Sequence, residues 1–82
     1  MYNEFNEIHV KINSIDRVKE FVKDTESFSS DIDAILGRYV IDAKSILGIF
    51  SLDLTKDILV RIKSEDRKEI LHFYEVMSKY ID

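Results

Sequence analysis

The sequence contains no cysteine. Disulfides, thiolate nucleophiles and zinc–thiolate centres are therefore excluded, and a reducing compartment is compatible. Proline is also absent, and glycine occurs only at Gly37 and Gly48. No low-complexity linker and no internal repeat divides the 82 residues, so one domain spanning 1–82 is expected. Cations are in deficit, with 12 Lys and Arg against 16 Asp and Glu and a net charge of −4. Such a chain has few positive groups to displace phosphate counterions, so direct nucleic-acid binding is not expected. No apolar run approaches the length of a membrane span. The opening "MYNEFNEI" lacks a positive stretch followed by an apolar one, so no signal peptide is expected and the reading is cytoplasmic.

What is present is ample apolar material, 45% of residues with 11% aromatic, which argues for a folded chain. A domain of this length buries roughly 60% of its unfolded surface. That allows one modest core and leaves little room for a deep catalytic cavity.

"EIHVKI" (7–12) alternates, with Ile8, Val10 and Ile12 on one face and His9 and Lys11 on the other, the pattern of a half-buried strand. The period then changes. Ile15, Val18, Phe21 and Val22 lie on one helical face, capped by Asn13 or Ser14, with Asp16 in the first turn. "DIDAIL" and "YVIDA" flank Gly37-Arg38, so 31–43 reads as a β-hairpin. Ser45 caps a short helix over about 46–52, followed by a loop at Thr55, Lys56 and Asp57. "ILVRIK" (58–63) is a further strand. Ser64 is the expected cap of the last helix, which carries Ile70, Leu71, Phe73, Tyr74, Met77 and Ile81 as a broad apolar face. The resulting order, βαββαβα, predicts an α+β fold. A four-stranded, mainly antiparallel sheet should carry the three helices on one side.

No catalytic constellation stands out. His9 and His72 are isolated, without metal-ligand spacing or an activating partner nearby in sequence. There is no Ser-His-Asp or Cys-His arrangement and no Gly-rich phosphate loop. No enzyme activity, metal or cofactor is expected. The unusual stretch is "IDAKSILGIFSLDL" (41–54), where Ile46, Leu47, Ile49, Phe50, Leu52 and Leu54 crowd into nine positions. A helix of one or two turns cannot bury all of them on one face. With Ile49 and Leu52 turned to the sheet, Ile46, Leu47 and Phe50 are left near the surface.

That stretch, together with the element order, resembles the HPr family, the small phosphocarriers of the bacterial sugar phosphotransferase system. The family segment Lys-Ser-Ile-Met-Gly-Val-Met-Ser-Leu stands here as Lys44-Ser45-Ile46-Leu47-Gly48-Ile49-Phe50-Ser51-Leu52, each departure keeping apolar character. The family carries phosphate on a histidine between the first strand and first helix, within Gly-Ile-His-Ala-Arg-Pro. At that place this chain reads "INSIDRVKE", with no histidine. Ser14 falls nearest the lost position, and Arg17 is nearby. In this the chain is similar to the catabolite repression HPr, a relative that lacks the histidine. The resemblance implies that Ser45 is a phosphoacceptor for an HPr serine kinase. It also implies that Lys44, Ile46, Leu47, Phe50 and Ser51 form a docking surface for phosphotransferase-system enzymes or a transcriptional regulator. Asp53 adds a negative charge beside that surface where the family has a small residue. Two alternatives stay open. One is a phosphocarrier using another acceptor, for which His9 is the only candidate near the first strand. The other is an HPr-fold adaptor that is never phosphorylated. A monomer is expected, with a strand-exchanged dimer as the alternative.

Overall fold

The computed structural model describes residues 6–81. Most of the stretch read for a signal peptide lies outside the described residues. The elements are β1 (Asn6–Val10), α1 (Ile15–Glu26), β2 (Ile32–Leu36), β3 (Tyr39–Asp42), α2 (Ile46–Phe50), β4 (Ile58–Ile62) and α3 (Arg67–Met77). A single 3-10 turn, Ser78–Tyr80, closes the chain. The βαββαβα order is the expected one.

The strands form one sheet in the order β1-β4-β2-β3, and all the pairings are antiparallel. The register places Ile8, Val60, Ala34 and Ile41 in one cross-strand row, and His9, Leu59, Ile35 and Val40 in the next. Because successive side chains on a strand point to opposite faces, these rows belong to opposite sides of the sheet. The first side joins the core, with Val10, Ile32, Ala34, Ile58, Val60 and Ile62 buried. The second is open and carries ion pairs, Glu7–Arg61 at 2.9 Å and Asp33–Lys63 at 3.1 Å. The helices cover the first side only.

β2 and β3 turn through Gly37 and Arg38, and Gly37 has φ +60°. A positive φ at the first central residue alone is the sign pattern of a type II′ turn, which needs glycine there. β1 ends two residues earlier than its alternation suggests. Lys11 leaves the ladder to donate its N–H to the Tyr80 carbonyl at 2.8 Å, while Ile12 still enters the core.

α1 begins at Ser14, whose hydroxyl oxygen accepts from the Arg17 N–H at 3.1 Å. It buries Val18, Phe21, Val22 and Thr25. Ile15, expected on that face, is exposed, because as the first helical residue it sits at the margin of the buried stripe. The 3-10 turn clasps α1 from the other end of the chain. Tyr80 hydroxyl donates to Asp24 Oδ2 at 2.5 Å, Lys79 Nζ lies 2.7 Å from the same oxygen, and the Tyr80 ring meets Phe21 edge-on.

α3 departs most from expectation. Its cap is Asp66, whose Oδ1 accepts from Lys68 N–H at 3.0 Å. Ser64 stands two residues upstream, accepting from the Asp66 N–H. Both residue types cap well, and here the carboxylate takes the position at the helix start. The buried stripe is narrower than the sequence suggests, with Phe73 and Met77 in the core and Ile70 and Tyr74 half-buried. Leu71 points to solvent from the other side of the helix, and Ile81 lies exposed beyond its end.

Candidate docking and modification site

α2 is a short helix held at its entrance by several anchors. Ala43 N–H donates to the Ile32 carbonyl at 2.8 Å, and the buried Thr25 hydroxyl of α1 reaches the Ala43 carbonyl at 3.2 Å. Lys44 N–H donates to Asp42 Oδ1 at 2.9 Å, and Ser45 N–H to the Asp42 carbonyl at 3.0 Å. Lys44 Nζ turns back to the Phe28 carbonyl at 2.8 Å, so this predicted docking residue is engaged in holding the loop between α1 and β2. That loop is fastened in turn by α3. The Glu69 carboxylate accepts from the N–H and hydroxyl of both Ser29 and Ser30. The Ser30 hydroxyl foremost, then the Ser64 hydroxyl and the other bonds of the loop, hold the Glu69 carboxyl down to about 2.

The first turn of α2 is built around Ser45 and Gly48. Ser45 Oγ accepts from the Gly48 N–H at 3.1 Å, the cap expected from sequence. Gly48 is needed because a Cβ there would lie 2.5 Å from Ile41 Cγ2 of β3. The helix therefore rests directly on the strand. It ends at Phe50 rather than 52, and Ser51 caps it, with its hydroxyl donating to the Gly48 carbonyl. Ile49 and Leu52 are buried. Ile46, Leu47 and Phe50 are exposed at 38%, 81% and 42% of their surface. At 100° per residue these side chains share a ~100° arc facing away from the sheet. Ser45 itself is partly exposed at the edge of this patch.

An open hollow of about 700 Å³ lies between the hairpin turn and the exit of α2, lined by Leu36, Gly37, Tyr39, Ser51, Leu52, Asp53 and Lys56. Asp53 Oδ1 accepts from the Thr55 hydroxyl at 2.6 Å and the Thr55 N–H at 3.1 Å, and these bonds lower the Asp53 pKa.

The other sequence candidates lie elsewhere. Ser14 heads α1, and Arg17 behind it is occupied, its Nε donating to the Lys11 carbonyl at 3.0 Å and Nη2 to the Lys79 carbonyl at 3.4 Å. His9 is exposed on the open side of the sheet, across from the helices. His72 is exposed on α3, packed beside Phe28 with ring centroids 5.1 Å apart. Among the described residues, no three His, Asp or Glu side chains form a group that could hold a metal ion. Sequence reasoning missed Thr25, Glu69 and the anchoring of Lys44, whose partners lie 16 or more positions away.

A phosphocarrier protein HPr from Buchnera aphidicola subsp. Schizaphis graminum is 33% identical to this chain over 63 residues, which is 73% of the chain and 74% of that relative. The chain belongs to the HPr family. No family model matches the sequence. The crystal structure of HPr-C-His from Thermoanaerobacter tengcongensis superposes with a TM-score of 0.70 at 22% identity, covering 89% of this chain and 91% of that one. At this identity the likeness speaks for the fold, and the HPr fold is the one described above. Among the described residues no helix is long and apolar enough to cross a membrane. Within this HPr-family chain the segment joining β1 to α1 reads Lys11-Ile12-Asn13-Ser14, without histidine.

Proposed function

We propose that this HPr-family chain is a cytoplasmic regulatory and interaction protein of the sugar phosphotransferase and carbon-catabolite network. It works by docking rather than by catalysis, and Ser45 is its phosphoacceptor. The observation that carries the reading is the placement of the partly exposed Ser45 cap against the exposed Ile46, Leu47 and Phe50. An apolar cluster of this kind beside a switchable polar group suits a protein partner. Phosphate transferred from ATP to Ser45 Oγ adds about −1.5 to −2 charge next to free helix N–H groups. Lys44 Nζ is committed to Phe28, so the cations that read the phosphate come from the partner. Partners of this chemistry are an HPr serine kinase, phosphotransferase-system enzymes or a transcriptional regulator, with neither nucleic acid nor membrane bound directly.

The test is intact-mass analysis after incubation with ATP and a bacterial HPr serine kinase, repeated with Ser45→Ala. One added phosphate that vanishes in the variant is the expected result. No modification beside a working HPr control would leave an unphosphorylated adaptor as the reading. A second reading, a phosphocarrier, draws on the likeness to the Buchnera phosphocarrier protein HPr. It requires an acid-labile phosphate lost in His9→Ala, whereas phosphoserine is acid-stable.

A further inference from the structure

β3 is an edge strand. It pairs with β2 on one side, and among the described residues no strand pairs with the other. Ala43 donates its N–H to Ile32 of the β2 segment, so the odd-numbered residues of β3 turn their backbone groups inward. Antiparallel alternation then directs the N–H and C=O of Val40 and the N–H of Asp42 outward, while the Asp42 carbonyl already accepts from the Ser45 N–H at 3.0 Å. Val40 and Tyr39 are exposed at 61% and 63% of their surface. β3 holds no lysine and no proline, and its one charged residue, Asp42, stands at its end.

Charge along the edge is unbalanced. Asp42 stands directly opposite Asp33 across the hairpin, a like-charge pair. Asp33 is compensated by Lys63 at 3.1 Å, whereas among the described residues Asp42 has no ion pair. Arg38, in the turn four positions earlier, also has none.

We infer that the β3 edge pairs with the same edge of a second copy of this chain, about a two-fold axis at Val40. Val40 then exchanges both backbone hydrogen bonds with its counterpart, and its side chain meets the same side chain across the axis. Tyr39 comes opposite Ile41 of the copy on the core side. Arg38 comes opposite Asp42 of the copy, twice, and supplies the cation Asp42 lacks. The register is set by three independent features: outward backbone groups, the apolar residue at the axis, and opposite charges two positions on either side. The two sheets become one of eight strands. So short an edge lies well below the ~1,200 Å² of a stable interface, so the dimer is weak and reversible.

Sedimentation equilibrium of the full chain, from about 20 µM to about 1 mM, tests this. The apparent mass should rise from 9.7 kDa towards twice that value with concentration. Val40→Lys should remain monomeric throughout. Arg38→Asp should weaken association about tenfold or more, and adding Asp42→Arg should restore it. If the double variant does not fold, as judged by circular dichroism, the two single variants decide. A chain that stays monomeric at about 1 mM overturns the inference. So does a dimer indifferent to Val40→Lys and Arg38→Asp, which would place the contact on the α2 patch or in an exchanged strand.

Discussion

α1 and α2 begin with the same device and differ in everything around it. In each, a serine oxygen accepts from the N–H three residues on, at 3.1 Å for both Ser14 and Ser45. Behind Ser14 runs a helix of 12 residues that buries a full stripe, and its first-turn cation, Arg17, is tied to two backbone carbonyls. Behind Ser45 run five residues, of which Ile49 alone is buried. The helix is placed by its neighbours: Thr25, Phe28 and Ile41 hold its entrance and its floor. Short helices are marginal without tertiary packing. A cap alone therefore does not mark a site. What distinguishes Ser45 is a helix that leaves much of its apolar surface uncovered while other elements keep it rigid.

The largest effect should come from removing the floor. Gly48→Ala sets a methyl group against Ile41 Cγ2, close to the branch point of a side chain that cannot swing away easily. Overpacking of this kind costs roughly 1–3 kcal/mol, and the better helix propensity of alanine offsets about 1 kcal/mol of it. Urea denaturation should show a net loss of up to about 2 kcal/mol. Ile41→Ala in that background should recover part of the loss, giving a non-additive double-mutant cycle. Simple additivity would mean that α2 does not rest on β3. No substitution at Ser14 should couple to Ile41.

Next is the latch that only the α2 side possesses. Glu69 is lowered to about 2 by the Ser30 and Ser64 hydroxyls and the N–H groups of the loop. A carboxyl depressed in the folded state contributes its full stability above its unfolded pKa, about 4.3, and loses it as pH falls towards 2. Glu69→Gln should lower stability at pH 7, by less than the full shift implies because solvent screens the carboxylate, and should flatten the acid limb of the stability profile between about pH 4.5 and 2. Amide exchange at Lys44 and Ser45 should quicken in that window before exchange in α1 does. The clasp over α1 behaves oppositely. Burial and Asp24 raise Tyr80, and Asp24 raises Lys79, so both contribute below their unfolded pKa values, near 10, and lose that contribution as pH rises.

The sheet was legible because its apolar alternation is clean, and both serine caps and the Gly37 turn were legible because they are local. Strand order was not, since no local pattern says that β4 inserts between β1 and β2. The start of α3 was misplaced because Ser64 and Asp66 are both good caps and only the path of the chain after β4 chooses between them. At the candidate site, the exposure of Ile46, Leu47 and Phe50 followed from too many apolar residues in too short a helix. The commitment of Lys44 to Phe28, and of Glu69 to Ser29 and Ser30, could not be read. Such bonds join loops that are adjacent only once the fold exists.

The two caps can be compared directly. Ser14→Ala and Ser45→Ala should each cost about 1 kcal/mol in thermal or urea unfolding, since each removes one acceptor from one N–H. Their functional effects should diverge. Kinase-dependent mass gain should survive Ser14→Ala and disappear in Ser45→Ala. Modification of both serines, or of Ser14 alone, would show that the cap rather than its apolar surroundings selects the acceptor.

The smallest effect on stability should accompany the largest effect on partner binding. Leu47 is 81% exposed, so truncating it removes little buried surface and leaves no cavity. Leu47→Ala should shift unfolding by less than about 0.5 kcal/mol. If Leu47 sits at the centre of a docking surface, the same change should weaken partner binding by about 1–2 kcal/mol, five- to thirty-fold, measured by titration calorimetry. Ile15→Ala is the matching control at the head of α1, an exposed apolar residue without exposed apolar neighbours in its own first turn. Equal losses from the two variants would move the interface towards α1. A loss confined to Leu47 would keep it on α2, where a rigid helix presents apolar surface that the fold leaves bare.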